Sequence, residues 1–290
     1  MTHTSYCKYH AIEAETSKYC HIRQPLTKNA YKNQEAKTRN QGAETKKSLS
    51  LQAIMGREKI FKFKQFAVLN DRTAMKVGTD GVLLGAWCPV DGARRVLDVG
   101  TGCGVIALMI AQRNATATIT GIDIDHDAIE EASLNFERSP WSERLAAVEG
   151  DFNDLQTAEQ YNLVVSNPPY FTNGVLPTGD ARTTARHTAT LTYRQLIEGA
   201  KRLLSDDGIL ALITPTDAEG NVVEAATFGS LPVRCMTRVI PVEGAAPKRV
   251  LWLLSRRNLP YREDSLTIAC RDGSFTSEYI ALTGAFYLKF

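Results

Sequence analysis

From Lys59 onward the apolar residues fall into short runs separated by stretches with helical spacing. Val96–Val99, Ala117–Ile122, Leu145–Val148, Leu163–Ser166 and Ile209–Ile213 each read as a buried strand. Between them, Val105–Arg113, Asp127–Arg138 and Tyr193–Leu204 repeat apolar residues every three or four positions, as amphipathic helices do. In the second, the apolar set is Ala128, Ile129, Ala132 and Phe136. A further helix is expected after Pro215. Val233–Ile240 and Val250–Ser255 are placed to form an antiparallel pair. Strands alternating with helices predict an α/β fold, an open, mostly parallel sheet with helices on both faces. Ahead of this region, Phe61, Phe63 and Phe66-Ala67-Val68 predict short strands or a hairpin. A helix then runs through Leu83 and Leu84, with Thr79 or Asp80 as its cap. Asp272-Gly273, set between Leu266–Cys270 and Phe275, predicts a small hairpin near the end.

Residues 1–54 break the pattern. They are rich in Lys, Asn, Gln, Thr and Glu and show neither period. Such a segment buries too little apolar surface to offset the entropy of ordering it. The expectation is a disordered basic tail or an over-extended start before Met55, with a basic RNA-binding arm as the rival reading. Residues 55–290 form the expected domain. Net charge is only +2, yet residues 1–55 alone carry +5. The remainder is therefore slightly acidic, so nucleic-acid contact has to come from a local patch. The six cysteines include no CxxC pair, which points away from zinc or a redox couple. No apolar run approaches a membrane span, and no signal peptide is visible. A cytoplasmic, metal-free protein is expected, with a monomer as the expected state.

The chemistry concentrates at strand ends. Gly100, Gly102 and Gly104 follow Val96–Val99 in a GxGxG turn, where small residues let a backbone approach a ligand. The dinucleotide fingerprint would want glycine at position 105, which is Val105. Asp98, Asp123 and Asp151 stand at three successive strand ends. Asp123 is placed to accept ribose hydroxyls, and Asp151 an adenine amino group with Phe152 beside the ring. An acidic residue at that position serves NAD as well as S-adenosylmethionine. Ser166-Asn167-Pro168-Pro169-Tyr170 follows the fourth strand. Asn167 and Pro168 can offer two carbonyl oxygens to an NH2 group, held stiffly because each proline fixes φ. Tyr170 can stack on a planar substrate. The pair of features reads as methyl transfer to nitrogen.

Residues 56–255 resemble the class I S-adenosylmethionine-dependent methyltransferases with an NPPY motif, on Val96–Gly104, Ile122-Asp123-Ile124-Asp125, Gly150-Asp151-Phe152 and Asn167–Tyr170. Phe63-Lys64-Gln65-Phe66, Met75–Trp87 and Asn167–Asn173 are closer to the bacterial valine-tRNA adenine-N6 methyltransferases. The resemblance implies a Rossmann-like, seven-stranded sheet whose last strand is antiparallel. It implies S-adenosylmethionine as methyl donor, with Thr79 counted among the cofactor residues, and a tRNA substrate. Arg182, Arg186 and His187 beyond the motif, with Lys62 and Lys64, are then the candidate RNA contacts. Methylation of a protein glutamine, as in release factors, stays open, as do guanine in ribosomal RNA and adenine in DNA. So do a non-catalytic binding module and, disfavoured by Val105, an NAD-dependent oxidoreductase.

Overall fold

A computed structural model describes residues 59–73, 75–169 and 191–290. Residues 1–54, Tyr170, Arg182, Arg186 and His187 therefore lie outside the described residues.

A hairpin opens the described chain: β1 (Ile60–Lys62) pairs antiparallel with β2 (Ala67–Leu69). Helix α1 (Thr79–Trp87) follows, then β3 (Arg95–Val99), α2 (Val105–Arg113), β4 (Thr118–Asp123), α3 (His126–Glu137) and β5 (Leu145–Glu149). The second half holds β6 (Tyr161–Ser166), α4 (Tyr193–Leu203), β7 (Leu204–Pro215), α5 (Glu219–Phe228), β8 (Val233–Val242), β9 (Arg249–Ser255), β10 (Arg262–Ala269) and α6 (Ser277–Thr283). The main sheet runs β10-β8-β9-β7-β6-β3-β4-β5. Strands β5, β4, β3, β6 and β7 are mutually parallel, and β9 is antiparallel to both of its neighbours. The order reverses between β3 and β4 on one side and β6 on the other, which is where open α/β sheets bind ligands.

The sheet is covered on both faces, as the apolar runs require. Leu97, Val164, Leu210 and Leu212 pack with Leu196, Ile197 and Ala200 of α4 and Val222 of α5. The alternate residues Val165, Ala211 and Ile213 are buried too. Helices α1 and α2 lie against each other, and Gly85 of α1 lets Met109 approach, since a Cβ there would stand 2.9 Å from the Met109 sulfur.

Two details correct the sequence reading. The sheet has eight strands, because β10 adds itself parallel to β8 beyond the antiparallel strand. Its residues are mostly polar and only Leu266 is buried, so apolar patterning gave it little weight. Helix α1 is capped by neither Thr79 nor Asp80. Gly78 is its N-cap, without a side-chain bond. Asp80 instead accepts from Arg249 Nε at 2.9 Å. Of the hairpin expected at Asp272-Gly273, the structure has the turn, closed by the Cys270 N–H on Ser274 O, and a single bridge between Ala269 and Phe275 in place of a second strand.

Candidate active site

The C-terminal ends of β3, β4 and β6 lie level: Val99 faces Ile122 on one side and Ser166 on the other. The chain leaving each end therefore meets the others in one cleft. Gly100 and Gly102 both take positive φ, 69° and 54°. That conformation suits glycine, and a Cβ at either would meet nothing within 4 Å. The turn is fastened to β4. Gly100 and Thr101 donate backbone N–H groups to Ile122 O, at 2.9 and 3.1 Å. Gly102 N–H donates to Asp123 Oδ2 at 2.9 Å. The other Asp123 oxygen accepts from Asp125 N–H at 3.0 Å. Each carboxylate oxygen has a second lone pair, so Asp123 can still take hydroxyl donors from the cleft. Burial raises its pKa, against the pull of those backbone bonds.

On the other side, Ser166 Oγ donates to Val99 O at 2.8 Å, fully buried. That bond ties the start of the Asn-Pro-Pro segment to the start of the glycine turn. Asn167 Oδ1 is buried and has no hydrogen-bond partner among the described residues. An unpaired buried acceptor costs about 1–3 kcal/mol, which is unusual in a folded protein. The cleft is lined by Gly100, Gly102, Asp123, Asp151, Phe152, Asn167 and Pro168 among the residues singled out from sequence. Asp151 Oδ1 already accepts from Asn153 N–H at 2.8 Å, capping a short turn. Phe152 is buried, its ring edge-on to Gly199 of α4, where a Cβ would come within 2.5 Å.

Three predicted cofactor residues stand outside this wall. Thr79 is exposed at the first turn of α1. Gly104 is the left-handed N-cap of α2, and a Cβ on it would stand 2.4 Å from Phe136 Cε1. Its smallness serves the seating of α3. Asp98 is fully buried beneath the turn, where Oδ2 accepts from Thr101 Oγ1 at 2.8 Å and Ala107 N–H at 3.2 Å. The walls also include residues to which the sequence reading gave no role at the site: Thr73, Met75, Ile124 and Leu191. Ile124 is half exposed, an apolar residue in an acidic loop, and that contrast was the available signal.

Burial pushes the Asp98 carboxyl up to about 7, with the bonds from Thr101 and Ala107 opposing. The folded protein thus holds this proton up to about pH 7, whereas the unfolded chain releases it near the ordinary aspartate value. Between those limits the folded state binds more protons, so stability falls as pH rises, and the full penalty applies above pH 7. We expect Asp98→Asn, which can still accept from Thr101, to flatten the decline in urea midpoint between pH 5 and pH 8. Parallel profiles for the two proteins would show that Asp98 is ionised throughout.

Thiols, cations and aromatic rings elsewhere in the described chain have structural duties or stay exposed. The Cys103 and Cys88 thiols are buried and pushed up to about 12 and about 11, so neither is a nucleophile at neutral pH. Lys62 is exposed on β1, and Lys64 Nζ donates to Gly284 O at 2.6 Å. Arg202 donates to Leu155 O, and Arg256 to Leu204 O, so these cations brace the fold. Phe63 and Phe66 are core residues, stacked with centroids 4.6 Å apart. Among the described residues there is no cluster of His, Cys, Asp or Glu suited to a metal, and no helix is long and apolar enough to cross a membrane.

Residues 76–240, more than half of the chain, match the family described as methyltransferase small domain. The chain belongs to this family. About four fifths of it also aligns with nearly the full length of curated relatives named tRNA1(Val) (adenine(37)-N6)-methyltransferase. One, from Tolumonas auensis, is 44% identical over 79% of this chain and 97% of its own. Another, from Aeromonas hydrophila, is 44% identical over 81% and 100%. A third, from Bacteroides fragilis, is 41% identical over 79% and 98%. Among solved structures, a protein titled a predicted O-methyltransferase from Agrobacterium tumefaciens matches with a TM-score of 0.58 at 21% identity, over 71% of this chain and 96% of that one. At that identity the likeness speaks for the fold. Strands β3 to β9 make up the seven that the sequence reading expects, and β10 is the addition.

Proposed function

We propose that the protein transfers a methyl group from S-adenosylmethionine to the exocyclic N6 of adenine 37 in a valine tRNA. The observation that carries this reading is the buried Asn167 Oδ1, unpartnered among the described residues, in the wall of a cleft that the open glycine turn also lines. The names of relatives at 41–44% identity support the substrate.

The residues fit the donor. Gly100 and Gly102 leave open space where a side chain would stand, so the methionine portion can lie against their backbone. Asp123 takes the ribose hydroxyls, with Ile124 and Phe152 as apolar surfaces for the adenine. Bound there, S-adenosylmethionine supplies an electrophilic methyl group on a positively charged sulfur.

The chain's own contribution is to prepare the nucleophile. An exocyclic amino nitrogen reacts poorly because its lone pair is delocalised into the ring. Asn167 Oδ1 accepts one N–H and the Pro168 carbonyl the other, which turns the lone pair out of the ring plane and towards the donor. The same two oxygens stabilise positive charge developing on nitrogen. After transfer the nitrogen is strongly acidic and loses its proton to solvent, so no general base is needed. Adenine has to leave the RNA stack to reach the cleft. Tyr170, next in sequence, is proposed to stack on it, and Arg182, Arg186 and His187 to meet the RNA beyond.

Incubation with methyl-labelled S-adenosylmethionine and unmodified total tRNA tests the proposal. Label should appear as N6-methyladenosine, confined to valine tRNA. Label in a protein glutamine instead would overturn the RNA assignment and keep the chemistry.

A further inference from the structure

We propose that Glu131 is a positioning residue for cofactor capture, latching the strap after β2 onto α3 so that Thr73 and Met75 form one wall of the cleft. This rests on the methyl-donor reading of the cleft given above.

Glu131 is fully buried on α3. Its two oxygens take four hydrogen bonds, all from a segment about sixty residues away in sequence. Oε1 accepts from Asp71 N–H at 2.6 Å and Arg72 N–H at 2.9 Å. Oε2 accepts from Thr73 N–H at 3.1 Å and Thr73 Oγ1 at 2.8 Å. Among the described residues no cation contributes, since the Arg72 guanidinium goes to the neighbouring Glu130. One turn along α3, Asn135 extends the grip. It accepts from Leu69 N–H at 2.7 Å, donates to Leu69 O at 2.9 Å, and donates to Cys103 O of the glycine turn at 2.8 Å. Lys76 closes the strap on itself through Asp71 O and Thr73 O, both at 2.8 Å.

A carboxylate placed inside a core is an expensive way to hold two elements together. Apolar packing of the same volume often does as well or better. What the carboxylate adds is direction: it fixes three consecutive backbone groups of a segment that has no strand or helix to order it. Burial pushes the Glu131 pKa up, but the bonds from Arg72, Asp71 and Thr73 outweigh this and hold it below the ordinary value. The carboxylate therefore stays charged and the latch closed at neutral pH. Thr73 and Met75 emerge from this latched stretch directly into the cleft. Asn135 joins the same face of α3 to the glycine turn, so both walls share one support.

Glu131→Gln tests the latch. The new amide keeps one oxygen for Asp71 and Arg72, but its NH2 faces the Thr73 N–H, donor against donor. Calorimetric affinity for S-adenosylhomocysteine should fall about tenfold, the scale of one lost charge-assisted bond. The kcat at saturating donor should stay within about twofold, since Asn167 is untouched. Tryptic cleavage after Arg72 should quicken in the variant, and S-adenosylhomocysteine should slow it only in the wild type. Thr73→Val, which leaves Glu131 and its bonds to Asp71 and Arg72 in place, should weaken binding about threefold, and it carries the test if Glu131→Gln does not fold. Unchanged affinity in a folded variant whose melting temperature alone is lower would overturn the latch and leave methyl transfer standing. Failure of the wild type to bind S-adenosylhomocysteine would overturn the methyl-donor reading, and the latch with it.

Discussion

Asn167→Ala should lose methyl transfer by about 10²–10³-fold in kcat, the range seen when one preorganised polar partner of a transition state is removed. The same variant should bind S-adenosylhomocysteine with wild-type affinity and melt at or slightly above the wild-type temperature. The stability part follows from an uncommon circumstance. The Asn167 carbonyl is buried without a partner among the described residues, so truncation breaks no internal hydrogen bond there and removes an unsatisfied acceptor. The strand end is held by Ser166 Oγ on Val99 O, which the substitution leaves alone. Single-turnover rates, calorimetry and a thermal melt together decide the matter. A variant that turned over normally would remove Asn167 from the chemistry. One that melted many degrees lower would recast it as a structural residue.

Gly104→Ala should be the most damaging small change in the described chain. The position has φ 81°, which costs an alanine about 1–2 kcal/mol. Its Cβ would also stand 2.4 Å from Phe136 Cε1, and overpacking of this kind typically costs about 1–3 kcal/mol. A combined loss of about 3 kcal/mol lowers the melting temperature by about 6–12 °C in a domain of this size. Phe136→Leu in the alanine background should recover part of the loss, because the two sites share the clash and so are not additive. If the melting temperature held while cofactor affinity dropped, Gly104 would belong to the binding surface after all.

Much of the fold was legible because its signals are local. The strands β3, β4 and β6 are short apolar runs, closed by Gly100, Asp123 and Asn167, the residue types proposed to carry the chemistry. The Asn167–Pro169 segment was readable for the same reason, since two adjacent prolines leave the backbone few choices. Position within a motif did not distinguish duty. Gly100 and Gly102 line the cleft, whereas Gly104 and Asp98 serve the joints beneath it. The strap was invisible for a physical reason. Glu131 and Asn135 are polar residues four apart on a helix, a spacing that reads as a solvated face. Both are buried, at 0% and 1% exposure, because their partners, the Thr73 hydroxyl apart, are main-chain groups that leave no compositional trace. β10 was underweighted because an edge strand needs only one apolar residue, Leu266, to seat it.

The bond from Ser166 to Val99 has a consequence for how such an enzyme can change. In the proposed reading it sets the spacing between the donor's cradle and the grip on the acceptor within the sheet, upstream of Arg182, Arg186 and His187, the residues proposed to meet the RNA beyond the motif. On that proposal, reactivity and choice of target are housed largely in separate stretches of chain. New partners can be acquired by rewriting what comes after Pro169, while the distance the methyl group must travel stays as it was.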